Sequence, residues 1–277
     1  MIIGAGKAGT TSLHHYLSQH PQIAMSWPKE TNFFTREDYM DSLDWYENCF
    51  ADRPGMRGEA SPAYSNFPRR KHVPQRIRAL VPDVKLIYLV RDPIERAESH
   101  YFHKYFNRTE SRPIEQAFAQ ITDPLDDPYI RGSTYGLQLE QYLEVFERSQ
   151  ILIVDNRDLK HERDATMSSV FSFLGIKPGL SPEHFKREIK ARTKTIRSSQ
   201  TAARASHSAP AQLGRRLLPV AVREPLFAAA RRVLSPSGTV TPTRLSPEMR
   251  EQVAGHFRED AARFRELTGR SFKHWTV

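Results

Sequence analysis

Met1-Ile-Ile-Gly4-Ala-Gly6-Lys7-Ala8-Gly9-Thr10-Thr11-Ser12-Leu13 decides the fold. Met1–Ile3 is a short apolar run, the signature of a buried strand, and it enters a glycine loop directly. Thr10 to about Gln19 follows with helical spacing, Leu13, Tyr16 and Leu17 on one face, and Pro21 ends it. A strand, a glycine loop and a helix in that order make an anion site. Glycine lets successive amides converge, and the helix N-terminus adds partial positive charge.

Which anion is bound is not decided by the loop alone. Gly4, Gly6 and Gly9 satisfy the dinucleotide pattern G-x-G-x-x-G, and Glu30 lies about 20 residues on, as a ribose-binding acid would. Yet Pro28-Lys29-Glu30 sits in a polar turn rather than at the end of a second strand, and Lys7 intrudes into the loop. The triphosphatase pattern G-x-x-x-x-G-K-[ST] has its glycines in Gly4 and Gly9, but Thr10 stands at its lysine position. Its metal-binding aspartate has no obvious counterpart either, since Asp92 is flanked by Arg91 and Pro93.

Outward from the loop, strand-like and helix-like segments alternate through residue 180, the pattern of a parallel sheet covered by helices. Met56–Glu59 reads as a second strand and Lys85–Val90 as the clearest buried one. Ile151–Val154 reads as another. Pro93 opens a helix expected to reach Tyr105, Gln138–Phe146 is amphipathic, and Ala165–Leu174 is a helix that Gly175 ends. Residues 186–212 are basic, rich in Ser, Thr and Ala, and read as a loop or lid; 213–234 are short helical patterns broken by Pro219 and Pro225. A last helix is expected from an N-cap at Ser246 to about Leu267, before Gly269. The whole reads as one domain, 1–277, with a nucleotide-binding core over 1–180, a basic lid and helical insertion over 186–240, and a C-terminal helix packing on the core.

Composition narrows the classes. Of 277 residues 39% are hydrophobic and 26% charged, which fits a globular chain and not a disordered one. No apolar run approaches the ~20 residues that span a bilayer. The single Cys49 allows neither an intrachain disulfide nor a cysteine zinc cluster. That, with a start lacking a basic-then-apolar leader, gives a cytoplasmic expectation. The net charge of +9, concentrated late at Arg215-Arg216, Arg223 and Arg231-Arg232, admits anionic small molecules, anionic membrane surfaces and nucleic acid as partners. His14-His15 and the other histidines make no convincing metal spacing, so no metal is expected.

A third template accounts for more of the residues. The loop, with Leu17-Ser-Gln-His-Pro21 and Lys29-Glu-Thr-Asn-Phe-Phe34, resembles the 5′-phosphosulfate loop of sulfotransferases dependent on 3′-phosphoadenosine 5′-phosphosulfate (PAPS). Leu86-Ile-Tyr-Leu-Val-Arg-Asp-Pro-Ile-Glu-Arg-Ala-Glu-Ser-His-Tyr101 resembles the same family's 3′-phosphate signature. The likeness resumes at Phe264–Trp275 and leaves 186–240 as a poorly matched gap.

The resemblance implies a three-layer, P-loop-like α/β fold with a short parallel sheet. It also implies in-line sulfuryl transfer from PAPS, with 3′-phosphoadenosine 5′-phosphate (PAP) as the product, to a hydroxyl or amine of a glycan, lipid or small molecule. It assigns Lys7 to the leaving phosphate, Ala8, Gly9, Thr10, Thr11 and Ser12 to the 5′-phosphosulfate, and Arg91 with Ser99 to the 3′-phosphate. Lid contacts would come from Arg192, Lys194 and Arg197. Gly58-Glu59-Ala-Ser-Pro-Ala-Tyr64 resembles the Glu-Lys-Thr-Pro-Ala-Tyr segment of the glycosaminoglycan branch and implies Glu59 as general base, although Ala60 replaces that lysine and the branch's disulfide is missing. His103, one turn past Ser99, matches a catalytic-assisting histidine of the N-sulfotransferases. A magnesium-dependent kinase and a non-catalytic nucleic-acid module stay open as alternatives.

Overall fold

The computed structural model describes residues 1–50, 55–177 and 243–277, with the backbone of two short strands at 196–197 and 237–238. Met1–Ile189 and Arg244–Val277 form one compact unit, and Lys190–Thr243 another. In the second, β6 (Ile196–Arg197) pairs antiparallel with β7 (Ser237–Gly238).

The first unit is a parallel sheet covered by helices. Strand β4 (Leu86–Val90) is buried at every position, as a central parallel strand with both faces covered must be. It pairs on one side with β1 (Ile2–Gly4) and on the other with β5 (Ile151–Asp155), in register from Leu86 opposite Ile151 to Val90 opposite Asp155. A second parallel pair joins β2 (Ile23–Met25) to β3 (Met56–Gly58). The chain after β3 stitches the two sheets together. Ile2 N–H donates to the Glu59 carbonyl at 2.8 Å, and Ser61 N–H donates to Ile2 O at 3.1 Å. Strand β1 is therefore interior to the assembly, and its carboxyl end opens where parallel sheets bind ligands.

Helix α1 (Thr10–Ser18) buries Leu13, Tyr16 and Leu17, the face expected from the spacing. It is followed by α2 (Leu43–Glu47), α3 (Val73–Leu80) and α4 (Pro93–Phe106), the last capped by the Asp92 carboxylate on Glu95 N–H. Then come α5 (Ile114–Ala119), α6 (Pro128–Arg131), α7 (Tyr135–Leu143), α8 (Asn156–His161) and α9 (Arg163–Leu174), which ends at Gly175 with φ 73°.

The C-terminal stretch departs from the single helix expected. Ser246 caps α10 (Pro247–Gly255) as anticipated, but the helix stops there and α11 runs over Arg258–Thr268. The break has a packing cause. Val253, Ala254 and Phe257 belong to a core cluster with Ile94, Tyr101 and Phe118, whereas Ala261 and Phe264 join the main core with Ile87 and Tyr135. One straight helix cannot serve both. Asp260 then reaches α7 and accepts from Gly136 and Leu137 N–H at 2.9 and 2.8 Å, so α7 starts at Tyr135 instead of Gln138. The final residues lie over the carboxyl ends of β4 and β5. Thr276 N–H and hydroxyl donate to Asp92, and Trp275 Nε1 donates to Asp155 at 3.2 Å.

Candidate active site

The glycine loop leaves β1 and is held from three sides. Ala5 N–H donates to Leu89 O at 2.6 Å, which ties the loop to β4. Asn156, the first residue of α8, donates its side-chain amide to Ala8 O at 2.8 Å. Arg96, buried within α4, reaches Gly6 O at 3.5 Å while also bonding Ser133 and the Tyr129 carbonyl. Gly9 has φ 104°, and a Cβ there would lie 2.7 Å from the Asn156 amide, so only glycine fits the turn into α1. Lys7 also takes a left-handed conformation, φ 73°.

An α-helix leaves its first N–H groups without intrahelical acceptors. Here Ser12 and Leu13 N–H fold back onto Gly9 O at 3.0 and 3.1 Å, so Thr10 and Thr11 present the opening amides. Ala8 N–H is engaged within the loop, donating to Ala5 O at 3.1 Å, and Ala8 is fully buried. The anion contact assigned to Ala8 from sequence therefore has no free amide in this conformation. Thr11 is exposed, and Gly9 and Ser12 are half-buried.

Two carboxylates, one following β2 and one following β3, lie in opposite settings. Glu59 is 1% exposed. Tyr46 OH (2.8 Å), Ser61 Oγ (2.9 Å), Tyr64 OH (3.0 Å) and Thr31 Oγ1 all donate to it. Burial pushes its carboxyl up, with the four hydroxyls pulling the other way. Glu30, by contrast, is exposed, and its carboxylate pairs with Lys29 Nζ at 2.8 Å. The same ammonium donates to Thr10 Oγ1 at 3.4 Å. Glu30 thus stands one ammonium away from the first residue of α1. From sequence Glu30 is a candidate ribose ligand and part of the Lys29–Phe34 stretch; its adjacency to Thr10 comes from the turn after β2, which no periodicity announces.

At the end of β4, Arg91 donates through Nε (3.0 Å) and Nη2 (2.7 Å) to Glu95 Oε2. Ser99 follows Glu95 by one helical turn and shares its face of α4. Arg91 and Glu95 line a cavity of about 320 Å³ with Asp155, Arg157, Lys160 and His274. His103 lies a further turn along α4, its Nε2 3.2 Å from the Asn107 amide. The structure therefore brings Lys7, Gly9, Thr10, Thr11 and Ser12 to one loop and sets Arg91 and Ser99 on the adjoining strand and helix. Arg192 and Lys194 lie outside the described residues, and Arg197 contributes only backbone to β6. Arg96 and Asn156, which brace the loop, were not singled out from sequence. Their signal is burial of polar side chains, visible only in three dimensions. Among the described residues no cluster of His, Cys, Asp or Glu has the geometry of a metal site.

The glycine loop with its lysine thus lies at the end of β1, and a charged cavity lined by Arg91, Arg157 and Lys160 together with Glu95 and Asp155 lies at the end of the neighbouring β4. The sulfotransferase-domain model matches residues 1–212, and the chain belongs to that family. It is 30% identical over 202 residues to human bifunctional heparan sulfate N-deacetylase/N-sulfotransferase 2, covering 65% of this chain and 22% of that protein. The corresponding mouse protein 4 is 28% identical over 193 residues, covering 64% of this chain and again 22% of the relative. The chain thus spans under a quarter of the length of these bifunctional relatives. Among solved structures, a sulfotransferase from Alicyclobacillus acidocaldarius covers 100% of this chain and 97% of its own, with a TM-score of 0.69 at 24% identity. Mouse sulfotransferase SULT7A1, solved with PAP, covers 99% of this chain and 87% of its own, at 0.52 and 14%. The α/β fold and the sulfate-transferring class expected from sequence are borne out.

Proposed function

We propose that this chain transfers a sulfuryl group from PAPS to an amine or hydroxyl of an acidic saccharide. The observation that carries the reading is the pairing of the Lys7 loop with the Arg91 cavity on neighbouring strand ends. A donor with a 5′-phosphosulfate and a 3′-phosphate needs two anion sites, and the adjoining ends of β1 and β4 are the candidates for them. The residues fit such a group: Gly9 leaves no Cβ in the loop, and Arg91 and Lys160 face the cavity.

When bound, PAPS supplies an activated sulfuryl group on a phosphate leaving group. Lys7 neutralises charge on that phosphate, with the Thr10 and Thr11 amides fixed beside it before reaction. The acceptor must lose a proton to a carboxylate that can reach it. Glu30, exposed at the loop, suits that task better than Glu59, which is sealed behind four hydroxyls. Glu59 instead fixes Thr31 and hence the segment carrying Glu30. His103, with Ser99, lies along the α4 face leading from the Arg91 cavity, which suits an assisting role.

A groove of about 650 Å³ supports an anionic acceptor. Arg69, Arg70, Lys71 and Arg76 line it beside Glu37 and the Arg36–Asp38 ion pair, which leaves a cationic excess, and Arg76 donates to Phe34 O at 3.1 Å on the segment that begins at Lys29. The glycan sulfotransferases among its relatives point the same way. The test is transfer from PAPS to an N-unsubstituted uronate polysaccharide and to a neutral amino-sugar polymer of equal length. The expected result is PAP release with sulfate gained on the acidic polymer. Equal transfer to both would remove the acidic acceptor, and transfer from ATP in place of PAPS would remove the donor.

A further inference from the structure

The Arg91 cavity holds more charge than one cation needs, and its carboxylates are not equivalent. Asp92 is occupied by Thr276 and by Glu95 N–H. Asp155 is occupied by Trp275 Nε1 and by His274 Nε2 at 3.1 Å. Glu95 is bound differently. Its side chain is 41% exposed and accepts both of its bonds from the Arg91 guanidinium, whose own exposure is 20%. A second cation stands across from it. Lys160 projects into the same cavity from α8, one turn after Asn156, the residue that braces the glycine loop.

The electrostatics agree with that geometry. Burial pushes the Glu95 carboxyl up, but the Arg91 hydrogen bonds and charge, then Lys160 and Arg244, outweigh it and hold the group below its ordinary range. Burial pushes the Lys160 ammonium down and Arg91 adds to this, with Glu95 and Asp155 opposing. Glu95 therefore sits between two cations that repel each other when it leaves. An ion pair left open to a polar cavity is a poor source of stability, since exposed pairs contribute about 0–1 kcal/mol. As a placeholder for a more highly charged anion it has a clear use.

Resting on the donor assignment above, we propose that Arg91 and Lys160 together grip the donor's 3′-phosphate, from the α4 and α8 sides of the cavity, and that Glu95 occupies this seat until the phosphate displaces it. A doubly charged phosphate gains from both cations at once, whereas an adenylate lacking it must leave Glu95 in place. Discrimination between the two nucleotides would then come from Lys160 and Glu95 as well as from Arg91.

The experiment is calorimetric titration with PAP and with adenosine 5′-monophosphate, which lacks the 3′-phosphate, on the wild-type chain and on R91A, K160A, K160R and E95Q. Melting curves check that each variant is folded. K160A should weaken PAP by about tenfold, the size of one charge-assisted bond, and leave the monophosphate unchanged. K160R should retain most of the preference, and E95Q should tighten PAP a few-fold without helping the monophosphate. If R91A lowers the preference for PAP while K160A and E95Q do not, the two-cation seat is wrong and the donor site stands. If R91A leaves the preference intact as well, the 3′-phosphate does not bind in this cavity. Equal weakening of both nucleotides by K160A would also overturn the proposal, because a general loss of positive charge explains it.

Discussion

Two regions, the segment after β2 and the segment after β3, treat a glutamate in opposite ways. Around Glu59 the wall is closed: Phe33 stacks on Tyr46 at 4.1 Å between ring centroids, and every oxygen of the carboxylate is met by a hydroxyl. Around Glu30 the wall is open, and a lysine shared with Thr10 is its ion partner. The contrast separates what a buried carboxylate does for a fold from what an exposed one can do for an acceptor. A saturated carboxylate fixes the positions of its donors; only one within reach of substrate can take a proton from it.

The comparison can be broken most sharply at the loop between the two regions. Replacing Lys7 with Ala should lower turnover by roughly 10²–10³-fold, the scale of losing one preorganised charge stabiliser, with the melting temperature nearly unchanged. Initial rates with saturating PAPS measure it. Next, Glu30→Gln should lower turnover by about 10²-fold while PAP still binds with wild-type affinity. Glu59→Ala should act on the other quantity, costing about 3 kcal/mol or more of stability because Thr31, Tyr46, Ser61 and Tyr64 lose their acceptor together. Chemical denaturation read beside turnover distinguishes the pair. If Glu59→Gln removes turnover and spares stability while Glu30→Gln does neither, the roles given to the two regions are reversed.

A smaller effect sharpens the same lesson at Asp260, a half-buried carboxylate that accepts from backbone amides. Burial raises it from 3.8 to about 6 despite the Leu137 and Gly136 amides. The folded state then binds the proton more tightly than the unfolded one. Its contribution, at most about 3 kcal/mol, is present below pH 4 and lost as pH rises through 6. Asp260→Asn should therefore be most damaging near pH 4 and progressively less so by pH 7, in melting curves taken across that range.

The fold was legible because its deciding elements announce themselves locally. Leu86–Val90 is apolar at every position, and the Gly4–Gly9 loop interrupts an apolar run just before a helical face. The break at Phe257 was not legible, since it arises from two core clusters pulling one helical sequence in different directions. The donor side of the site could be read for a related reason. Arg91 directly follows a recognisable strand and Lys7 lies three residues past another, so sequence position fixes their place in the fold. Glu30 and Glu59 both lie past the ends of short strands, and which of them is sealed depends on Thr31, Tyr46 and Tyr64 converging from separate segments. Resemblance favoured Glu59, and burial argues against its direct contact with an acceptor. Arg96 and Asn156 carry no local signal; each is defined by the loop carbonyl it reaches.

The central claim is that the Lys7 loop and the Arg91 cavity together receive a 3′-phosphorylated adenylate, and thermal unfolding of the wild-type chain with PAP, PAPS, magnesium ATP and NAD tests it most directly. At about 100 times its dissociation constant a ligand contributes about 2.7 kcal/mol, a rise of roughly 5–10 °C for a chain of this size. The account predicts that rise with PAP and PAPS and little or none with the other two. A rise with magnesium ATP, and none with PAP, would contradict it.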